Sequence, residues 1–148
     1  MKEIMVAIDG SDGSRAAIDE AVELAGALGA HITFASVRKA PSSVLGTPYY
    51  ECRLARDLGI ARATVDAALE RARQAGIEAD GRVLEGSVVD EILSFADNAG
   101  ADMIVMGSRG HGALAGALLG SVSNGVVQHS NVPVLVAKQV APRERQAA

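Results

Sequence analysis

Short, wholly apolar stretches alternate along this chain with stretches whose apolar residues recur at helical spacing. The first apolar run extends from Ile4 to Ile8 and ends at a polar turn that contains glycine. A run that is apolar at every position is typical of a strand buried on both faces, as in a parallel sheet. The next stretch, 16–28, has alanine and leucine at helical spacing and ends at Gly29, where a helix C-cap is expected.

The same alternation continues along the rest of the sequence. Further strands are predicted at 31–37, 78–84, 103–106 and 133–137, and further helices at 51–75, 88–99 and 121–129. The segment 38–50 has no periodicity and contains Pro41, Gly46 and Pro48, so it is predicted to be a loop. Ser87, with an acidic residue three positions later, resembles the capping box at the start of a helix.

Five strands that alternate with four helices predict a single α/β domain over 1–148, with a loose tail at 139–148. Alternation of this kind favours a parallel sheet covered by helices on both faces. In such open sheets, ligands bind outside the carboxyl ends of the strands, where the strand order reverses. This rule directs attention to the segments that follow the first, second and fourth strands.

Composition narrows the class of protein. Of the 148 residues, 49% are hydrophobic and 22% are charged, which excludes a disordered chain. The single cysteine, Cys52, excludes a disulfide framework, and a net charge of −4 argues against nucleic acid as a partner. No apolar run approaches the roughly 18 residues of a membrane span, and the first residues lack the pattern of a secretory signal. We therefore expect a cytoplasmic protein that does not bind membranes.

The segment with the clearest chemistry follows the fourth predicted strand. It contains two tetrapeptides separated by nine residues, Gly107-Ser108-Arg109-Gly110 and Gly120-Ser121-Val122-Ser123. Glycines allow backbone N–H groups to surround an anion, and a helix that begins after Gly120 adds unpaired amides and the positive end of its dipole. Ser121, Ser123, Arg109 and His111 offer further donors. The pattern predicts a phosphate-binding loop, and the alternative is a tightly packed turn without a ligand.

Two familiar phosphate-binding motifs fit less well. A P-loop needs a lysine directly after its last glycine, and no lysine lies between Gly107 and Val136. A dinucleotide-binding fingerprint requires an acidic residue about 20 positions later. Neither Asp nor Glu occurs from Met103 to Pro142, which disfavours NAD.

The spacing Gly-x2-Gly-x9-Gly-Ser resembles the nucleotide-binding signature of the universal stress protein family. The segments 6–11 and 131–136 resemble the two ends of that family, so the similarity spans about 2–138. The resemblance implies a Rossmann-like, three-layer α/β fold with five parallel strands in the order 3-2-1-4-5. It also implies a homodimer formed through the last strand, Val134, Leu135 and Val136, and pairing would cover an otherwise exposed apolar edge.

The resemblance further implies ATP as the ligand, with AMP or cyclic AMP as alternatives. Asp9 matches an acidic residue near the ribose and the metal-bound phosphates, so magnesium is expected there together with nucleotide. Val37 matches a position whose backbone recognises adenine. The full set of implied nucleotide-binding residues is Ala7, Ile8, Asp9, Val37, Met106, Gly107, Arg109, Gly110, Gly120, Ser121, Val122 and Ser123.

The sequence offers no evident base to activate water, and no arginine beyond Arg109 to stabilise charge on a γ-phosphate. We therefore expect a stress-response regulatory protein that binds ATP with little or no hydrolysis. Two alternatives stay open. One is an adenylate-forming or ATP-hydrolysing enzyme of the related superfamily, whose pyrophosphate loop has a composition similar to 9–14. The other is a nucleotide-free dimeric scaffold. His31, His129 and Cys52 are interpreted as structural.

Overall fold

Nine helices and strands follow one another in the described part of the computed structural model, which comprises residues 1–39, 46–108 and 119–139. They are β1 (Glu3–Ala7), α1 (Asp12–Leu28), β2 (His31–Arg38), α2 (Thr47–Gln74), β3 (Ala79–Glu85), α3 (Val88–Ala99), β4 (Met103–Gly107), α4 (Ser121–His129) and β5 (Val134–Ala137). Strands and helices alternate, as the apolar pattern predicts. In these described ranges, no helix is long and apolar enough to cross a membrane.

The five strands form one parallel sheet in the order β3-β2-β1-β4-β5, which confirms the expected strand order. Ala7 of β1 is paired with Ala35 of β2 on one side and with Met106 of β4 on the other. The chain moves outward from β1 to β3 and then returns to the far side of β1. The strand order therefore reverses between β1 and β4, which is where such sheets bind ligands.

The core consists of two apolar layers, one on each face of the sheet. Ile4, Val6 and Phe34 pack with buried residues of α1 and α2. Met5 points to the opposite face, where it packs with Ile92 and other residues of α3 and α4. Because successive residues of a strand alternate between faces, a strand with helices on both sides must be apolar throughout. This accounts for the uninterrupted apolar runs in the sequence.

The largest departure from the sequence prediction is in the segment 38–50. β2 extends through Arg38 and α2 begins at Thr47, so the predicted loop is wrong at both ends, and 40–45 lies outside the described residues. Pro48 lies in the first turn of α2, where its missing N–H costs no helical hydrogen bond. Among the described side chains of α2, the first that is buried is Ala61. Because the earlier part of the helix has no buried face, its sequence has little apolar periodicity.

The predicted capping box at the start of α3 is also partly wrong. Ser87 is the N-cap residue and has an extended backbone, but its side chain makes no capping hydrogen bond. β3 and β5 each begin one residue later than predicted, which is within the ordinary uncertainty of element ends.

Candidate ligand site at the carboxyl edge of the sheet

The carboxyl ends of β1 and β4 lie against the first turn of α1. Ile8 N donates to Ala35 O at 2.9 Å, which carries the sheet pairing one residue past the end of β1. At the end of β4, a Cβ atom placed on Gly107 would lie 2.6 Å from the carbonyl carbon of Gly13 and 2.7 Å from its oxygen. A side chain at 107 would therefore collide with the backbone of α1. Glycine is required here for this close approach.

A small hydrogen-bond network fixes Asp9 in front of α1. Asp9 Oδ1 accepts from the backbone N of Ser11 at 2.9 Å and from its hydroxyl at 2.5 Å. Ser11 Oγ in turn caps α1 by accepting from Ser14 N, and Ser14 Oγ accepts from Asp9 N at 3.1 Å. The carboxylate is therefore an exposed group held at the positive end of the α1 dipole.

The start of α4 is tied to the end of β4. Gly120 N donates to Ser108 O at 2.7 Å, and the Ser123 hydroxyl donates to the same oxygen at 2.9 Å. Ser108 N donates to Ala137 O at 2.9 Å, which joins this region to β5. Ser108 and Ser123 are buried, whereas Ser121 is exposed. Ser123 therefore positions α4 through its hydroxyl, and Ser121 faces solvent.

The first turn of α4 presents backbone amides toward the carboxyl edge. Its N-cap is Gly120 in an extended conformation, and within the described ranges no side chain makes a capping hydrogen bond to it. The first N–H groups of a helix have no partner inside the helix, and they carry the positive end of its dipole. A glycine at this position has no side chain that could cap these groups, which suits the binding of a phosphate at a helix N-terminus.

Three of the residues expected around adenine lie on one face of the sheet. Ala7, Val37 and Met106 belong to the apolar cluster on the α3 and α4 side, and Met106 is buried while the other two are partly buried. Ile8 is buried in the opposite cluster, with α1 and α2. Gly107, Gly120, Ser121, Val122 and Ser123 lie at the ends of β4 and α4 described above. Arg109, Gly110 and His111 lie outside the described residues.

Asp9 alone provides too few ligands to bind a metal ion. Across 1–39, 46–108 and 119–139, no group of three or more His, Cys, Asp or Glu side chains is arranged to hold a metal ion. Magnesium prefers six oxygen ligands and keeps several waters. The donor set therefore fits magnesium only when the ligand supplies further oxygens, as a polyphosphate does.

The histidines that are described lie away from this edge or make backbone contacts. His31 is at the amino-terminal edge of the sheet, where Nδ1 is 2.8 Å from Glu3 Oε2 and Nε2 is 3.2 Å from Asp80 Oδ2. His129 Nδ1 is 2.9 Å from Gly125 O near the end of α4.

One charged residue of the carboxyl edge, Arg38, was not predicted from the sequence. Arg38 ends β2 and forms an ion pair with Glu85 at the end of β3, a partner 47 positions away. A single arginine beside a predicted loop has no sequence pattern that would indicate an ion pair or a place in a binding site. Arg38 and Glu85 are partners in the register of β2 and β3, which the sequence does not reveal.

A doubly wound parallel sheet with this strand order, which reverses between β1 and β4, defines a Rossmann-like α/β protein. The model of the universal stress protein family matches residues 1–138, and the chain belongs to that family. Universal stress protein YxiE of Bacillus subtilis is 34% identical over 147 residues, covering 92% of this chain and 98% of the relative.

Two solved structures in this family contain nucleotides. A universal stress protein in complex with cAMP is 32% identical, with a TM-score of 0.71, covering 92% of this chain and 96% of that chain. A universal stress protein from Archaeoglobus fulgidus in complex with dAMP is 27% identical, with a TM-score of 0.71, covering 93% of this chain and 98% of that chain. Both ligands carry an adenine base and a phosphate.

Proposed function

We propose that this protein is a cytoplasmic stress-response regulator that binds an adenine nucleotide, with ATP as the principal ligand, at the carboxyl edge between β1 and β4. The main support is that the Asp9 turn, the end of β4 and the glycine-capped start of α4 meet there. Gly107 lies against Gly13, and Gly120 is hydrogen-bonded to Ser108. A phosphate group would accept from the first amides of α4, and Asp9 would hold magnesium together with the phosphates.

The base is proposed to lie beside the partly buried side chains of Ala7 and Val37 and the buried side chain of Met106. A flat, largely apolar ring suits such a surface, with a few polar groups to fix its orientation. The ligands of the two related structures, cAMP and dAMP, share adenine, which supports adenine as the common part of the ligand. ATP rather than a monophosphate is our inference from the two glycine-containing tetrapeptides of the sequence, at 107–110 and 120–123.

We propose that bound ATP is hydrolysed slowly or not at all. Hydrolysis requires a base that positions water and charge that stabilises the transferring phosphoryl group. The carboxylate at the reversal point is Asp9, and its Oδ1 already accepts two hydrogen bonds from Ser11. A carboxylate used in this way, and expected to bind magnesium, is poorly placed to act as a base as well.

Thermal unfolding with separate ligands tests the proposal. ATP with magnesium, at 100 times its dissociation constant, should stabilise the fold by about 2.7 kcal/mol, which raises Tm by roughly 5 to 11 °C. AMP and cAMP should also raise Tm, whereas GTP and NAD should not. If no nucleotide raises Tm, after bound nucleotide has been removed from the protein, the nucleotide-free scaffold becomes the better description.

The Asp9→Asn variant distinguishes the contribution of magnesium to nucleotide binding from the contribution of the adenine ring. The variant should reduce the Tm shift produced by ATP with magnesium far more than the shift produced by AMP, because AMP does not need the metal. Asp12→Asn, at the exposed start of α1, is the matched control and should change neither shift. Equal losses for ATP and AMP in Asp9→Asn would contradict the metal-binding role of Asp9.

An assay of phosphate release tests the absence of turnover. Purified protein with ATP and magnesium should release phosphate no faster than a preparation of Asp9→Asn. Rapid release that Asp9→Asn abolishes would identify an ATPase. Exchange of labelled pyrophosphate into ATP in the presence of a carboxylic acid would identify an adenylate-forming enzyme instead.

A further inference from the structure

The carboxyl end of β2 extends past the end of β1. The register of the two strands ends where Ala7 pairs with Ala35, and one further hydrogen bond joins Ile8 N to Ala35 O. Among the described residues, the pairing of these strands goes no further. Alternate residues of a parallel strand direct their backbone groups to the same neighbour, so the N–H and C=O of Val37 point to the β1 side, as those of Ala35 do. They face the region where the base is proposed to lie.

Among the strands, only β3 pairs with the last residues of β2. Arg38 is the register partner of Glu85, and its carbonyl oxygen accepts from Gly86 N at 3.1 Å. Arg38 Nη2 also donates to Glu85 Oε2 at 2.5 Å, and the arginine side chain is only 13% exposed. The two strand ends are therefore joined twice at the residue after Val37, once through the backbone and once through an ion pair.

This ion pair lies on the face of the sheet opposite the proposed base. Phe34 of β2 and Val83 of β3 belong to the apolar cluster on the α1 and α2 side, and strand alternation places Arg38 and Glu85 on the same side. The Val37 side chain belongs to the cluster on the α3 and α4 side. The ion pair can therefore affect the bound base only through the position of the strand backbone.

The buried guanidinium supplies defined geometry at a cost in stability. Arg38 Nη1 is buried and has no acceptor in the part of the chain that the structure describes. A buried donor without an acceptor is unfavourable, and an apolar side chain often fills such a position with equal or greater stability. A guanidinium bonded to a carboxylate instead fixes the direction of the contact between two strands.

We propose that the Arg38–Glu85 ion pair holds the end of β2 against β3 and thereby orders the N–H and C=O of Val37 before the base binds. This inference rests on the proposed function and adds two positioning residues to the base site. Groups that are ordered in advance bind more tightly, because the ligand does not have to offset the entropy lost when the backbone becomes fixed. The phosphates, at the start of α4, do not depend on this ion pair.

Calorimetric titration with adenosine and with magnesium tripolyphosphate tests the inference, because each probe carries one part of ATP. Arg38→Met should weaken the binding of adenosine by about 5- to 30-fold, the factor that corresponds to ordering the backbone of one residue. The affinity for tripolyphosphate should not change. Arg82→Met is the matched control and should alter neither affinity. Arg82 is an exposed arginine of β3 whose Nη1 donates to Gly81 O of its own strand.

The other outcomes of the titration separate the inference from the proposed function. Equal losses for the two probes would make the ion pair a general support of the fold and overturn its positioning role. Unchanged adenosine affinity in Arg38→Met would overturn it as well, even if Tm falls. Failure of the unmodified protein to bind adenosine would end the proposed base site, and this inference with it.

Hydrogen exchange of two backbone amides provides a local measurement. Gly86 N donates to Arg38 O beside the ion pair, and Ile32 N donates to Glu78 O at the other end of the same two strands, both at 3.1 Å. In Arg38→Met, exchange at Gly86 should become faster and exchange at Ile32 should not. Addition of adenosine should slow the exchange at Gly86. Equal acceleration at both amides would indicate global destabilisation and contradict the inference.

Two milder variants cover the case in which Arg38→Met does not fold. Glu85 is 46% exposed, and Glu85→Gln leaves the arginine in place while removing the charge of its partner. It should show the same selective loss of adenosine affinity and faster exchange at Gly86. Arg38→Lys keeps the positive charge beside Glu85 and should bind adenosine more tightly than Glu85→Gln does. If Glu85→Gln binds adenosine as tightly as the unmodified protein, the ion pair does not position the base site.

Discussion

At the scale of single residues, close approach of backbone to backbone determines which residue is allowed at the reversal point. Gly107 lies so near Gly13 that a Cβ atom would be 2.6 Å from a backbone carbon, a distance that real Cβ atoms essentially never show. Backbone atoms of α1 cannot rotate away as a side chain can. Gly107 therefore has a packing role that is independent of any ligand, and it also sets the spacing between the Asp9 turn and β4.

Gly107→Ala is expected to destabilise the protein by about 1 to 3 kcal/mol, because the methyl group forces α1 and β4 apart. Urea unfolding measures the change in the free energy of unfolding. Gly59→Ala is the matched control, since a Cβ atom at 59 meets nothing within 4 Å and alanine is favoured in a helix. It should stabilise the protein by up to about 1 kcal/mol. Equal effects of the two substitutions would contradict the close approach at 107.

Asp102 is a second residue whose role depends on distant backbone groups. Its Oδ2 accepts from Lys2 N at 2.7 Å and from Glu3 N at 3.0 Å, which holds the start of β1 beside the start of β4. These two hydrogen bonds lower the pKa of Asp102 below its ordinary value of 3.8. A lowered pKa means that the ionised form stabilises the folded state.

The stabilisation by Asp102 is therefore complete above pH 3.8 and is lost as the pH falls through the lowered folded-state pKa. Asp102→Asn should be less stable than the unmodified protein at neutral pH, and the difference should shrink on acidification. Unfolding curves at pH 7 and below pH 3.8 measure this. Asp66→Asn, an exposed charge on α2, controls for the loss of one carboxylate. A pH-independent difference for Asp102→Asn would contradict the assignment.

At the scale of elements, α4 owes its position to hydrogen bonds rather than to a long apolar face. It has nine residues, of which Ser123 and Val126 are buried. Ser108 O accepts from both Gly120 N and the Ser123 hydroxyl, so two donors of the α4 start converge on one carbonyl of the β4 end. This arrangement aims the amide end of α4 at the carboxyl edge.

Ser123→Ala should lower the free energy of unfolding by about 1 kcal/mol, the usual contribution of one hydrogen bond, and should weaken nucleotide binding by loosening the α4 start. Ser121→Ala should weaken binding while leaving stability within about 0.5 kcal/mol, because Ser121 is exposed. Chemical unfolding and calorimetric titration of both variants measure the two effects. Unchanged stability in Ser123→Ala would show that the hydrogen bond from Gly120 N alone fixes the start of α4.

At the scale of the whole molecule, β5 is the edge of the sheet beside β4. Ile104 N donates to Pro133 O and Ser108 N donates to Ala137 O. The backbone groups that form hydrogen bonds with β4 therefore belong to the odd-numbered residues 133, 135 and 137. In a parallel ladder the N–H groups of Val134 and Val136 then point away from β4. An edge with outward N–H groups and partly buried apolar side chains is a template for pairing with a second strand.

We propose that a second copy of the chain pairs with this edge. Val136→Pro removes an outward N–H, and it should convert a dimer into a monomer at micromolar concentration with little effect on the sheet itself. Val136→Thr keeps both the N–H and the branched side chain and should remain dimeric. Light scattering after size exclusion measures the mass. A monomeric unmodified protein, or a dimeric Val136→Pro, would contradict pairing through β5.

The order of the strands and helices along the chain and the layered α/β class follow from the sequence alone. Burial on both faces forces a parallel strand to be apolar at every position, and runs such as 4–8 and 103–106 therefore stand out without any knowledge of their neighbours. The start of α2 was missed for the same reason: the described side chains ahead of Ala61 are not buried, so burial imposed no pattern on them.

Which distant residues come into contact depends on the folded structure. The contact of Gly107 with Gly13, the bond of Ser123 to Ser108 and the pairing of Arg38 with Glu85 all depend on strand order and register. Local periodicity reports whether a position is buried, but it carries no information about the partner across the sheet. The glycine and serine positions of the candidate site were therefore visible in the sequence. The packing role of Gly107, the anchoring role of Ser123 and the buried Nη1 of Arg38 became visible only when the chain had folded.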